Sequence, residues 1–163
     1  MHPQIQEIFD DAENRYLKPE ELKLLAQYVD SLPERIDLYR TLRDRELEIM
    51  QWVVDQLQAQ FPQEPQETIE RSIKTALLML RYCSMGMLLN DETLVQKRFL
   101  SWVSQSVKIY NTEKIDTSLY QLLNQQLQRM LGVQQMKFLS PMLTATQTAL
   151  LSAEPSNELA IGW

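Results

Sequence analysis

Apolar residues recur along this chain at intervals of three and four and rarely alternate, so the pattern predicts helices throughout and no strand. Between Pro3 and Tyr16, the residues Ile5, Ile8, Phe9 and Ala12 fall on one face of a short helix. Pro19 suits the first turn of a second helix, which carries Leu22, Leu25, Ala26, Tyr28 and Val29. Ser31-Leu32-Pro33-Glu34 reads as a capping box with proline in the first turn, so a new helix is expected there. It runs to about Phe61, with a candidate break near Arg43 to Arg45, and Pro62 and Pro65 then punctuate the chain. From about Glu67 to Leu89, Ile69, Ile73, Ala76, Leu77, Leu80, Ser84, Met87 and Leu88 form a core-facing stripe that ends at Asn90-Asp91. A further helix is expected over about 92–110. The next starts with Asp116 as a cap and runs to about Phe138. The last begins at Ser140-Pro141 and ends near Ser152. The total is seven or eight helices and a loose tail over 153–163.

Composition narrows the function classes. The chain has 163 residues, which fits one domain with one core. Its net charge of −6 is the wrong sign for a nucleic-acid binder. No apolar run approaches the roughly 18 residues a membrane helix needs, and the start lacks the features of a signal peptide. The single cysteine, Cys83, cannot form an internal disulfide, which fits a cytoplasmic protein.

Candidate chemistry is sparse. The only histidine, His2, is poorly placed to be an axial haem ligand. No cluster has zinc-ligand spacing and no glycine-rich phosphate loop is present, so no metal site is expected. Glu34, Arg35, Arg40, Arg43, Asp44, Arg45 and Glu46 read as a solvated, ion-paired helix face rather than catalytic carboxylates. Cys83 reads as a small buried hydrophobe, and Met79, Met85 and Met87 as core filling. Trp52 and Trp102 read as core or groove residues and Trp163 as a tail residue. No nucleophile and base lie together, so no enzyme is expected.

Three stretches resemble phycobiliprotein subunits, those of allophycocyanin in particular. Asp11-Ala12-Glu13-Asn14-Arg15-Tyr16-Leu17, followed by Pro19-Glu20-Glu21-Leu22, is similar to the family's Asp-Ala-x-x-Arg-Tyr-Leu segment and the turn after it. Leu80-Arg81 through Asp91 is similar to its central helix, with Gly86 matching a family glycine. Val107 to Asn111 is similar more loosely. The likeness is traceable over about residues 8 to 112.

The resemblance implies an all-α, globin-like fold. N-terminal docking helices are expected over about 3–31 and a core over about 32–152. In the family the early aspartate pairs across a subunit interface with an arginine of the partner's central helix. Asp11 and Arg81 match those roles, and Arg15 and Tyr16 match the docking segment. The family's pigment motif, Cys-x-Arg-Asp, falls on Ser72, Lys74 and Thr75. A serine hydroxyl cannot replace a thiolate in forming the thioether, Lys74 keeps only a point charge, and Thr75 offers no carboxylate. Leu77, Leu78 and Met79 replace polar and aromatic residues near the pigment.

No covalent cofactor is therefore expected. The expected protein is a non-pigmented cyanobacterial relative in the cytoplasm or at phycobilisomes on the thylakoid surface, where photosynthetic antennae sit. It would act by protein–protein interaction in phycobilisome assembly, turnover or regulation, as a homodimer or a heterodimer with phycobiliprotein subunits, with no nucleic acid and no membrane insertion. The alternative is a non-covalent carrier or sensor of a tetrapyrrole or other apolar ligand, with Lys74 as its first polar anchor.

Overall fold

A computed structural model describes residues 2–110 and 112–152, leaving aside the side chains of 106–110. The tail with Trp163, and the side chains of the Val107–Asn111 stretch, lie outside the described residues. All the regular structure among the described residues is helical: α1 (Pro3–Asp11), α2 (Pro19–Gln60), α3 (Gln66–Leu89), α4 (Glu92–Val95), α5 (Ser101–Tyr110), α6 (Glu113–Met130) and α7 (Val133–Leu151). A π-helical turn, Gln96–Leu100, joins α4 to α5, so the expected helix over 92–110 is continuous but locally underwound.

The largest departure from expectation is α2. Its 42 residues run through Pro33 and through Arg43–Arg45 without interruption, about 63 Å of helix. Ser31 does not cap a new helix. Its hydroxyl donates to the Tyr28 carbonyl at 2.7 Å and accepts from Arg35 Nε at 2.9 Å, inside the helix already running. Pro33 is exposed, and its missing N–H leaves the Val29 carbonyl, one turn back, without that helical donor. The helix survives because tertiary contacts hold both sides of the proline. Tyr28 Oη donates to the Leu88 carbonyl at 3.1 Å, and Arg35 donates to the Met87 carbonyl. Those two carbonyls end α3, where Asn90 turns the backbone left-handed at φ 48°. The boundary expected at residues 31/32 is therefore not a helix break.

Two further starts move. Asp116 lies inside the first turn of α6, whose cap position is Thr112. Ser140-Pro141 falls inside α7, which begins at Val133 after a reversal at Leu131 and Gly132. Leu131 is buried with an extended backbone, and Gln135 reaches back to accept from the Gly132 N–H at 3.3 Å. Hydrophobic anchoring at the corner outweighs the local proline signal. The first helix ends at Asp11, so the motif from Ala12 to Leu17 is the turn into α2.

The core gathers Leu38, Leu42, Ile49, Val53 and Leu57 of α2 with Ala76, Met79, Leu80, Cys83 and Met87 of α3 and the apolar faces of α6 and α7. Alpha3 is the central element, packed on α2, α6 and α7. At Gly86 a Cβ would come within 2.9 Å of Met142 Sδ and 3.0 Å of Val95 Cγ2, so a glycine there lets α3 and α7 approach. Among the described residues none packs on the outer side of α2: Leu22, Val29, Ile36 and Leu47 are 51, 51, 38 and 79 % exposed.

Candidate functional site

Two regions hold the residues singled out in the sequence. The first is the α1–α2 turn and the α2–α3 surface. Arg15 there is clamped bidentately on Glu21, with contacts of 2.9 and 2.7 Å, and also lies 3.6 Å from Asp11. Glu21 accepts the Lys18 N–H at 2.8 Å as well. The Arg15 hydrogen bond, helped by that N–H, brings the Glu21 carboxyl down to about 2. The turn is thus pre-shaped by its own charges, and it holds Tyr16 outward, 99 % exposed.

Arg81 lies on α3 and forms a bidentate pair with Glu46 of α2 at 2.7 and 2.9 Å. Within the chain Asp11 and Arg81 do not meet; each has a nearer partner of its own. Beside Arg81 a groove of about 300 Å³ opens between α2 and α3. Tyr39, Leu42, Leu80 and Met85 give it apolar walls, and Arg43, Glu46, Arg81 and Ser84 give it a polar rim.

The second region is the stretch matching the pigment site. Ser72 faces inward and is 3 % exposed, and its hydroxyl oxygen has no hydrogen-bond partner of sound geometry. It lies near Asp116 and favours that group's charged form, as does Thr112, whose hydroxyl donates to Asp116 Oδ2 at 2.7 Å. Burial is the stronger influence and raises the Asp116 carboxyl above the usual range. Burial and the Asp116 charge together push the Tyr120 hydroxyl up. Sequence reading missed this buried polar cluster, because Ser72, Asp116 and Tyr120 meet only when α3 packs on α6.

Lys74, two residues on, points elsewhere. It lines an open groove of about 490 Å³ between the end of α2 and the start of α3, with Val54, Phe61, Pro62, Ile69 and Ile73 as apolar walls. Neither Ser72 nor Thr75 lines that groove. Thr75 donates back to the Arg71 carbonyl at 3.1 Å within its own helix. Met79 is fully buried, and Leu77 and Leu78 pack against the core. A covalently held bilin therefore does not fit these residues: the one hydroxyl at the attachment position is sealed from the groove and has no thiolate chemistry.

Cys83 is fully buried, with Sγ 3.5 Å from Thr146 Oγ1, and burial pushes its thiol up to about 11. Burial and the raised pKa both disfavour its reactive thiolate at neutral pH. Trp102 is half-exposed, its indole donating to the Arg98 carbonyl at 2.6 Å. Trp52 is stacked under the Arg129 guanidinium, 4.0 Å from the ring centre. His2 is buried between Tyr28 and Asn90, with Nε2 2.9 Å from Asn90 Nδ2, and serves to fasten α1. Burial foremost, and the nearby Arg35 charge next, lower its pKa. Among the described residues no three His, Cys, Asp or Glu side chains are placed to hold a metal ion, and no helix is long and apolar enough to cross a membrane.

A long helix braced by a short N-terminal one, a central helix enclosed by its neighbours and a globin-like helical core define the phycobiliprotein class of fold. The family model described as phycobilisome protein matches residues 9–152, and the chain belongs to that family. The match runs through α6 and α7, beyond the point near residue 112 where likeness of motifs fades. A search of curated proteins finds no match to the chain. Membership supports a phycobiliprotein-like role, in a family that is structural and light-harvesting rather than enzymatic.

Proposed function

We propose that this chain is a non-pigmented phycobilisome protein that works by protein–protein contact, in assembly, turnover or regulation of the antenna. One observation supports the reading: the turn that resembles the family's docking segment is well organised, while Ser72, at the position matching the family's pigment attachment, is buried. The α1–α2 turn is organised around Arg15 and Glu21 and presents Tyr16, while Ser72 is sealed in the core. Asp11 and Arg81 are both on the surface, where a partner's charges can reach them. Each already has an internal ion pair, so a partner must share or replace it. Such an exchange contributes register and selectivity more than affinity.

The test pairs Asp11→Ala with Arg81→Ala and follows oligomeric state and capture of purified phycobiliprotein subunits. Loss of partner binding with unchanged helicity is the expected result. An unchanged oligomer and an unchanged partner set would remove this mechanism.

The groove at Lys74 favours a second reading, non-covalent binding of an apolar ligand. Its volume lies in the range of small-molecule sites, and Lys74 makes no ion pair among the described residues. Production in cells that make bilin and haem distinguishes the two: a coloured protein that bleaches with Lys74→Glu supports the carrier, and a colourless one leaves the contact reading.

A further inference from the structure

His2 is the only histidine of the chain, and the fold buries it. It occupies the cap position of α1, where its carbonyl accepts the Gln6 N–H at 3.0 Å. Its side chain does not cap that helix. The ring stands edge-on to Tyr28 of α2, with centroids 5.0 Å apart, and Nε2 meets Asn90 Nδ2 at the corner after α3. The second ring nitrogen, Nδ1, is buried without a hydrogen-bond partner. Among the described residues, this ring seats α1 together with Ile5 and Ile8, which are buried but lie outside the main core.

The site takes a neutral imidazole and resists a charged one. Protonation turns both ring nitrogens into donors. Asn90 can answer Nε2 only by turning its amide over, and Nδ1 still meets no acceptor of sound geometry. Burial acts first against the charge and the Arg35 guanidinium of α2 second. The ring's own backbone carbonyl and Asp91 favour the charge less strongly, and the amino-terminal charge opposes it slightly. Asp91 is also engaged with Thr93 and Leu94. The carbonyls that end α3, where a cation is welcome, are held by Tyr28 and Arg35. A positive charge at the cap of α1 opposes that helix's own dipole as well.

We infer that His2 is a proton-operated latch, whose protonation releases α1 from α2 and from the α3 corner while the other helices stay packed. Nine residues are too few to hold a helix alone, so α1 loses its structure on release. The Arg15–Glu21 clamp survives, because the Glu21 carboxyl, at about 2, stays ionised throughout. Release therefore stops at the turn after α1. The docked ring binds its proton more weakly than a free one. Docking is strongest above the ordinary imidazole value of 6.5 and weakens as pH falls below it. The inference is independent of the contact and groove readings and adds control by pH at the amino-terminal arm.

With one imidazole in the chain, its nuclear magnetic resonance titration is read without overlap. The wild-type midpoint is expected below 6.5. Hydrogen exchange between about pH 8 and about pH 5, corrected for its intrinsic pH dependence, follows α1 in the full chain. Protection of α1 should begin to fall near 6.5, by up to about tenfold per pH unit, and level off past the imidazole midpoint. Protection of α3 and α6 should stay constant. His2→Phe keeps an aromatic edge on Tyr28 and takes no proton, and His2→Gln keeps a partner for Asn90; each should flatten the α1 profile. Where a variant loses α1 at every pH, the wild-type agreement between titration and exchange decides. An α1 protection independent of pH, a midpoint at or above 6.5, or an acid loss that persists in His2→Phe overturns the latch.

Discussion

At Asp116 a carboxyl is held in a nearly dry site with one hydroxyl donor, and its folded-state pKa is raised. A raised carboxyl binds its proton more tightly folded than unfolded. Its contribution to stability is therefore greatest at low pH and falls as pH rises from the unfolded value through the folded one. Asp116→Asn should cancel that slope and leave the protein at least as stable at neutral pH, as urea unfolding at several pH values can check. The Cys83 thiol gives a second test. With its pKa near 11 and no exposure, it should react with a thiol reagent at neutral pH only at the rate of unfolding. The sequence marked Ser72 as unable to form the thioether from residue type alone, and read Cys83 as a small buried hydrophobe. It could not show that Ser72 sits beside Asp116, because 44 residues separate them and only the packing of α3 on α6 closes that distance.

Among the elements, α2 depends on α3 and α3 on α2. Tyr28 and Arg35 donate to the Leu88 and Met87 carbonyls, supplying the partners that the end of a helix lacks. Arg35 also lies over the Phe138 ring of α7 at 4.7 Å. Arg35→Met should cost about 1–3 kcal/mol, because it leaves a part-buried carbonyl without its charged donor; thermal unfolding reads it. Gly86→Val should cost about 1–3 kcal/mol by overpacking against Val95 and Met142. By contrast Glu46→Ala should change stability by less than about 1 kcal/mol, since the Arg81 pair is largely solvated. Its expected effect is to release Arg81 for an acidic partner group, visible as tighter partner capture. The periodicity marked the long segments as helical, but it divided α2 at Ser31 and carried the helix before the last one through Leu131 and Gly132 to Phe138. It misplaced the starts at Ser31, Asp116 and Ser140 because capping signals are local, whereas the actual boundaries are set by what the flanking side chains bury.

For the whole molecule, the two faces of α2 differ in how much apolar surface they bury. One face of α2 builds the core with Leu38, Leu42, Ile49 and Val53, and the opposite face leaves Leu22, Val29, Ile36 and Leu47 in water. A face of this kind on a helix already packed on its other side supports the contact reading proposed above. The sequence by itself determined the helical class, the likeness to the family and the absence of a thiol at position 72, because each depends on residue type and spacing along the chain. Only the tertiary structure decided that α2 is unbroken, that Ser72 is closed off from the Lys74 groove, and that Arg81 is held by Glu46. It also decided which apolar residues of α2 remain uncovered. Those facts depend on which helices meet, and a helix carries the same local signals whether its neighbour comes from its own chain, from another, or not at all.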